Sequence, residues 1–481
     1  MLNRVGSKKS SKVRRPLKVK FSKSQTYSRV HKVPEIKFED QSLTSFAGLA
    51  VFMPLLRRLG LKERLGRCFP RRKGSPIYAA ATIALGLIIH IIIGFHRLRD
   101  VEYYGDDPMV KRLLGLKRLP SAATISRSLR EMDAGDYERV RELSRELVCD
   151  RIRLNSPARL TLDFDGVVFS TSGRPEGSAV GMNKKKKGAR SYYPLFCTVA
   201  QTSQVFDALH RPGNVHDSNG AGEFMSGCVA EVRSAAPSAV IEGRIDSAFF
   251  SRQTAVMLDA ENVEFTISAP FARFAELKQM IAERRRWLRL DAEWSYFESE
   301  WKPKSWDEKF RFIFIRKRVK LQDKKPVQLD LFEPHDYGYE YKVIVTNKTA
   351  CARKVLRFHN GRGAQEALFG EARSHARFDY IPTRKLAGNR VWMTCGIMAH
   401  NLVRELQMQS KPPARGTTEK RSPLWTFEHL GTLRHRLLQR AGRITHPGGK
   451  LTLTLSGNPA VRREMLALLD ALGAEEARKA A

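Results

Sequence analysis

Between Phe38 and about Leu154 the apolar positions recur every three or four residues, the period of helices that bury one face. The most apolar part runs from Ile77 to Phe95, nineteen residues nearly free of charge, which meets the length of a membrane span. Thr82, His90, two glycines and four alanines dilute it and no second apolar run exists, so a buried core helix is expected and a membrane protein is the rival reading. Two short helical patterns follow, punctuated by Gly115, Pro120 and Ser121, with Ser121 placed to cap the second. That is the outline of a helix-turn-helix, with Lys117 and Arg118 beside the turn and Arg127 and Arg130 on the second helix.

From Ala158 the period changes to two. LTLDFDGVVFS, YPLFCTVAQ and QVFDALH predict three consecutive strands, with a tight hairpin at Gln201 to Ser203. A helix over Gly220 to Arg233, the strand AVIEGRI, a helix over Ser251 to Ala260 and the strand VEFTISA complete an α/β pattern, a mixed sheet flanked by helices. Phe271 to Ala350 reads as a β-rich insertion containing Trp287, Trp294, Trp301 and Trp306, and helical pattern resumes from His359 to Gln409. After Ser410 come a basic helix over His429 to Arg443 and a strand-like LTLTLSG. The expected segments are a disordered basic arm (1–34), a helical N-terminal domain (35–157), the α/β core in two parts (158–270 and 353–410), the β-rich insertion (271–352) and a basic C-terminal extension (411–481).

Charge narrows the partners. Lys and Arg number 85 against 50 Asp and Glu, a formal net charge of +35. Residues 1–33 hold eleven Lys or Arg and no acid. Such an excess predicts salt-sensitive attraction to phosphate backbones through counterion release, with an anionic membrane surface the weaker alternative. Six scattered cysteines, none in C-x-x-C spacing, predict reduced and mostly buried thiols. The basic N-terminus lacks the apolar stretch of a secretory signal, so a cytoplasmic, nucleoid-associated location is expected.

Against this basic background three acids stand out. In TLDFDGV the alternation sets Leu160, Leu162 and Phe164 on one strand face and Asp163 and Asp165 on the other. Two carboxylates on one face repel unless a cation sits near them, so either acid is a candidate metal ligand. Asp246 ends a second strand, where open α/β sheets present ligand-binding groups. Glu366 lies, at about 100° per residue, on a helical stripe with His359, Arg362 and Arg373. Three hard oxygen ligands suit Mg2+ or Mn2+, and two such ions about 4 Å apart suit in-line displacement at phosphorus.

The order strand-Asp, strand-Asp, long insertion, helix-Glu resembles the DDE-type transposases of bacterial insertion sequences, whose catalytic core is RNase H-like. The resemblance is closest to the branch called transposase DDE domain group 1 and runs from about Gly66 to the C-terminal hairpin. It is carried by RLRDVEYYGDDPMVKRLLGLKRLPSAATISRSL, LTLDFDGVV, RSYYPLF, RPGN at Arg211 to Asn214, RIDSAFFS, VIVTN and AHNL. Relatives have Tyr, Arg, Glu and Lys around the catalytic Glu at a spacing kept here by His359, Arg362, Glu366 and Arg373.

The resemblance implies catalysis by Asp165, Asp246 and Glu366 with two Mg2+ or Mn2+ ions, Asp163 being the alternate first ligand. It also implies DNA contacts from His359, Arg362 and Arg373, and a tryptophan offered to an extruded base. Lys184, Lys185, Lys186, Lys187 and Arg190, in a Gly-flanked loop, are further phosphate candidates, as are Arg211 and Asn214 after the third strand. The expected partners are double-stranded DNA, as terminal inverted repeats and target, and a second copy of the chain in the DNA complex, with no membrane and no small-molecule substrate. A catalytically inactive, domesticated DNA-binding relative is the alternative.

Overall fold

The period-two runs after Ala158 pair into one large sheet in a computed structural model that describes residues 31–70, 77–181, 183, 186–216, 218–319 and 338–473. In chain order the first strands are β1 (Leu43–Thr44), β2 (Arg159–Gly166), β3 (Phe169–Ser170), β4 (Ala179–Val180), β5 (Arg190–Tyr192), β6 (Leu195–Val199) and β7 (Gln204–Leu209). They are followed by β8 (Val240–Ile245), β9 (Glu264–Ala269), β10 (Leu288–Arg289), β11 (Trp294–Trp301), β12 (Phe310–Arg318), β13 (Tyr339–Thr346), β14 (Gly442–Thr445) and β15 (Thr452–Leu455). The nine-stranded sheet has the order β10-β11-β12-β13-β9-β8-β2-β6-β7, with β2, β8 and β9 parallel and the other neighbours antiparallel. The expected mixed α/β core is therefore present.

The tryptophan-rich segment continues this sheet. β13 hydrogen-bonds to β9, setting Val343 opposite Ala269, so β10 to β13, in the segment expected as a β-rich insertion, extend the core sheet. Their inward residues Phe297, Phe312, Phe314 and Val343 join the same apolar cluster as Leu162, Phe164 and Ile245. Trp306 is buried and stacks on Phe250, and Trp301 packs against Phe274 and Phe312. Trp287 and Trp294 are half-buried, beside Arg316 and Lys317.

Helices α1 (Phe52–Arg58), α2 (Leu61–Cys68), α3 (Ala80–Ile93), α4 (Pro108–Leu114), α5 (Ala122–Glu131) and α6 (Ala134–Asn155) precede the sheet. Among and after the strands come α7 (Ala221–Ala235), α8 (Arg252–Ala260), α9 (Ala275–Glu283), α10 (Ala352–Asn360), α11 (Gly363–Glu371), α12 (Leu386–Ser410), α13 (Leu430–Leu433) and α14 (Pro459–Ala471). The apolar α3 is a core helix: Ile83 to Ile93 are buried, Gly86 excepted, and no single helix among the described residues is long and apolar enough to cross a membrane.

The expected segment boundaries do not divide the core. Residues of α1 to α6 share one apolar cluster with Trp392 and Leu402 of α12 and with Leu430, Leu437 and Val461 farther on. Gly388 of α12 makes this approach close, since a Cβ there would meet the Leu129 carbonyl at 2.2 Å. The basic helix expected over 429–443 is reduced to α13 and one π turn, since Gly442–Thr445 pairs as β14 with β1 and β15; Arg434 turns inward and donates to the Ile92 carbonyl at 2.8 Å. Of the expected basic arm, residues 1–30 lie outside the described residues, and His31–Gln41 are exposed.

The two helices of the expected helix-turn-helix are α4 and α5. Asp107 caps α4, Gly115 ends it at φ 70°, and Ser121 Oγ accepts from the Thr124 amide at 3.3 Å to start α5. Ile125 and Leu129 are buried, whereas Lys117, Arg118, Arg127 and Arg130 are exposed.

At one end of the sheet, Glu242 of β8 is fully buried among cations. Arg421 Nε donates to it at 2.7 Å, Lys348 Nζ at 2.8 Å and Arg159 Nη1 at 2.9 Å, with Thr161 Oγ1 also donating at 2.9 Å. Burial raises its carboxyl, but the bonds from Arg421 and Lys348 outweigh that and bring it down to about 2. Its contribution is present above the unfolded value near 4.5 and is lost as pH falls toward 2. Melting curves between pH 5 and pH 2 should therefore show a loss of stability that Glu242→Gln lacks; parallel pH profiles for the two proteins would refute this.

Candidate functional site

Strand alternation gives β2 and β8 an apolar face and a polar face. On the polar face Thr161, Asp163 and Asp165 of β2 run beside Glu242, Arg244 and Asp246, with Thr161 opposite Glu242 and Asp163 opposite Arg244. The first two layers hold their own counter-charges. Glu242 has the cations described above, and Asp163 accepts from Arg244 Nε and Nη2 at 2.5 and 2.7 Å, both side chains being buried. At the strand ends the third layer sets Asp165 beside Asp246, acid against acid, with no cation from either strand.

The third carboxylate comes from α11. The helix expected to run through His359 and Arg373 is broken at Gly361 and Arg362, where the backbone bonds tighten to the i−3 pattern, Arg362 N to His359 O at 3.1 Å and Gln365 N to Arg362 O at 2.9 Å. Gly361 lies where a Cβ would meet the Lys420 carbonyl at 2.0 Å, so the chain crosses there only without a side chain. Gln365 Nε2 then donates to the Asp163 carbonyl at 2.9 Å and docks the first turn of α11 on β2, which sets Glu366 beside the two aspartates. From the break Arg362 reaches all three: its guanidinium lies 3.3 Å from Asp165 Oδ2, 3.4 Å from Asp246 Oδ1 and 4.0 Å from Glu366 Oε1.

The electrostatics agree with that grouping. Burial pushes the Asp165 carboxyl up; Arg362 opposes the shift, Asp246 and Glu366 add to it, and the result is about 6. Lys342 of β13 is a further member that the sequence reading did not single out. Its Nζ donates to Asn360 Oδ1 at 3.2 Å, and burial together with Arg362 lowers its ammonium, against the pull of Asp246, to about 8. The available signal was a lysine on a strand face shared with Ile344 and Thr346.

The remaining candidates separate by what they touch. Asp163 is committed to Arg244, which leaves Asp165 as the β2 acid facing Asp246 and Glu366. His359, expected to meet DNA, is buried with Nδ1 2.9 Å from Thr266 Oγ1 and Nε2 2.9 Å from Ser268 Oγ, so neither ring nitrogen is left for a phosphate. Burial and the nearby Lys342 and Arg362 charges hold its imidazole well below its ordinary value. Arg373 donates to the Val168 carbonyl at 2.8 Å and to Asp379 Oδ2 at 3.1 Å, bracing the loop after β2.

Arg211, also expected at a phosphate, is buried and donates to the carbonyls of Tyr193 at 3.2 Å and Asn219 at 2.9 Å, a bracing role. Arg190 donates from Nε to Ser178 Oγ at 3.0 Å within the small β3-β5-β4 sheet. Lys186, Lys187 and Asn214 are exposed, while Lys184 and Lys185 lie outside the described residues.

Three carboxylates against one guanidinium leave an excess of negative charge and only oxygen donors, which matches a hard divalent cation in chemistry. Among the described residues no three His, Cys, Asp or Glu side chains are gathered closely enough to hold an ion as they stand. Here the Arg362 guanidinium lies between the oxygens.

By sequence, the family described as Transposase DDE domain group 1 matches residues 28–476. No curated protein matches the chain. Among solved structures, a piggyBac transposase synaptic complex with hairpin DNA aligns at 12% identity and TM-score 0.42, over 82% of this chain and 80% of that one. A Mos1 transposase paired-end complex with the left transposon end aligns at 14% identity and TM-score 0.16, over 41% of this chain and 61% of that one. A Mos1 mariner paired-end complex with Mn aligns at 13% identity and TM-score 0.16, over 50% and 72%.

Proposed function

Because the chain belongs to the transposase DDE domain group 1 family, we propose that it binds the terminal inverted repeats of an insertion sequence, cleaves DNA at those ends and joins the freed 3'-hydroxyls to target DNA. The observation that carries this reading is the meeting of Asp165, Asp246 and Glu366 around Arg362. Those three carboxylates would hold Mg2+ or Mn2+. Two such ions would supply activation of the attacking water or hydroxyl and neutralisation of the charge that develops at phosphorus.

The chain's own groups position the DNA. Arg362 presents a planar, always charged guanidinium beside the carboxylates, suited to a phosphate oxygen. Lys342 adds a second cation on the β13 side. Lys186 and Lys187 extend the basic surface, and Lys117 and Arg118 in the turn between α4 and α5, with Arg127 and Arg130 on α5, would read or track the end sequence. The mixed sheet with its three antiparallel strands, then two parallel ones across helices, supports an RNase H-like core. A pair of chains would synapse two ends.

The direct test uses a duplex carrying the inverted repeats that flank the coding region. The protein should nick it only with Mg2+ or Mn2+, and Asp246→Asn or Glu366→Gln should lose nicking while retaining the gel shift. Nicking that survives both changes would refute the assignment, and a gel shift without nicking in the unaltered protein would favour the non-catalytic reading.

A further inference from the structure

Arg362 differs from the other inward arginines of this polar face. Arg244 is clamped by Asp163 at 2.5 and 2.7 Å and also by the Lys420 carbonyl at 2.7 Å, and Arg421 holds Glu242 at 2.7 and 2.9 Å. Arg362 reaches its acids only at 3.3, 3.4 and 4.0 Å, longer than the optimum for charge-assisted bonds. It makes one long hydrogen bond, Nη1 to Asp165 Oδ2 at 3.3 Å, and meets Asp246 and Glu366 by charge alone, from a long side chain rooted at the break between α10 and α11.

We propose that Arg362 is a built-in counter-cation that competes with a divalent ion for these three carboxylates, and that DNA relieves the competition by taking the guanidinium onto a phosphate. The inference rests on the reading of Asp165, Asp246 and Glu366 as metal ligands. A guanidinium and a metal ion drawn to the same three carboxylates repel each other and compete for their lone pairs, so each weakens the other. An ion that enters frees Arg362 for a phosphate, and a phosphate that holds Arg362 opens the oxygens to the ion. Metal and DNA affinity then rise together, reciprocally, through one side chain.

The test measures Mn2+ binding to the full chain by the electron-spin signal of the free ion, so no turnover is involved. Without DNA, Arg362→Gln should bind Mn2+ about tenfold more tightly than the unaltered protein, the effect expected for one opposite charge a few ångströms away. Arg362→Lys, which keeps the charge but loses the fork, should lie between and serves if the Gln variant does not fold. Adding a noncleavable duplex should tighten Mn2+ binding by the unaltered protein and leave Arg362→Gln nearly unchanged. Equal or weaker Mn2+ binding by the Arg362 variants would overturn the proposal. Asp246→Asn is the control for the underlying reading: if it binds Mn2+ as well as the unaltered protein, the metal-ligand assignment itself has failed.

Discussion

Asp165→Asn should make the protein more stable at neutral pH and at the same time abolish cleavage. The Asp165 carboxyl sits at about 6 against an ordinary value of 3.8, chiefly through burial and the neighbouring Asp246 and Glu366. A native state that holds its proton more tightly than the unfolded chain loses stability as pH rises between the two values. Above pH 6 the full penalty applies, on the order of 2 to 3 kcal/mol.

Asparagine keeps the shape and cannot ionise, so the penalty vanishes with the charge. Melting curves taken without divalent ions should coincide near pH 4 and separate as pH rises, the variant melting a few degrees higher by pH 7. Mg2+ should stabilise the unaltered protein and leave the variant unmoved. Nicking should fall by about three orders of magnitude or more, as expected when one ligand of a metal-dependent phosphoryl transfer is removed. A variant that melts lower at pH 7, or still cleaves, would remove Asp165 from the site.

The mixed α/β sheet and the place of the two aspartates at strand ends could be read along the chain because both rest on local periods. Alternation placed Asp163 and Asp165 on one face of β2, and the apolar run before Asp246 marked the end of a second strand. What local pattern could not supply was the residue opposite each acid. Asp163 is neutralised by Arg244, 81 positions away, and only the parallel register of β2 with β8 brings them together. The stripe through His359 assumed an unbroken helix, whereas the helix ends at Asn360 and restarts at Gly363, with Gly361 packed where a Cβ would meet the Lys420 carbonyl. His359 consequently faces Thr266 and Ser268, and Arg362 alone turns to the acids. That the strands of the β-rich segment extend the core sheet was not legible either, because nothing in their own sequence shows that β13 will pair with β9.

Two residues along the same strand face, the opposite sign is expected. Asp163 and Arg244 are both buried, 2% and 0% exposed, and each is the other's charge partner. Asp163→Asn or Asp163→Ala leaves a guanidinium in the interior without its anion, which costs about 3 to 5 kcal/mol. Arg244 also holds the carbonyls of Phe358 at 3.2 Å and Lys420 at 2.7 Å, so loosening it loosens the end of α10 that leads into Arg362. The variant should therefore melt well below the unaltered protein at every pH from 5 to 8; burial pushes the Asp163 carboxyl up against the pull of Arg244, so it is the sign of the melting shift that separates this variant from Asp165→Asn. Replacing both partners, Asp163→Leu with Arg244→Met, should recover much of the loss, because a buried ion pair is costly to break and far less costly to replace by apolar groups. If Asp163→Asn instead stabilises the protein at neutral pH, Asp163 is an uncompensated acid and the first metal ligand. The direction of two melting shifts thus decides which aspartate of TLDFDGV serves chemistry and which serves the fold.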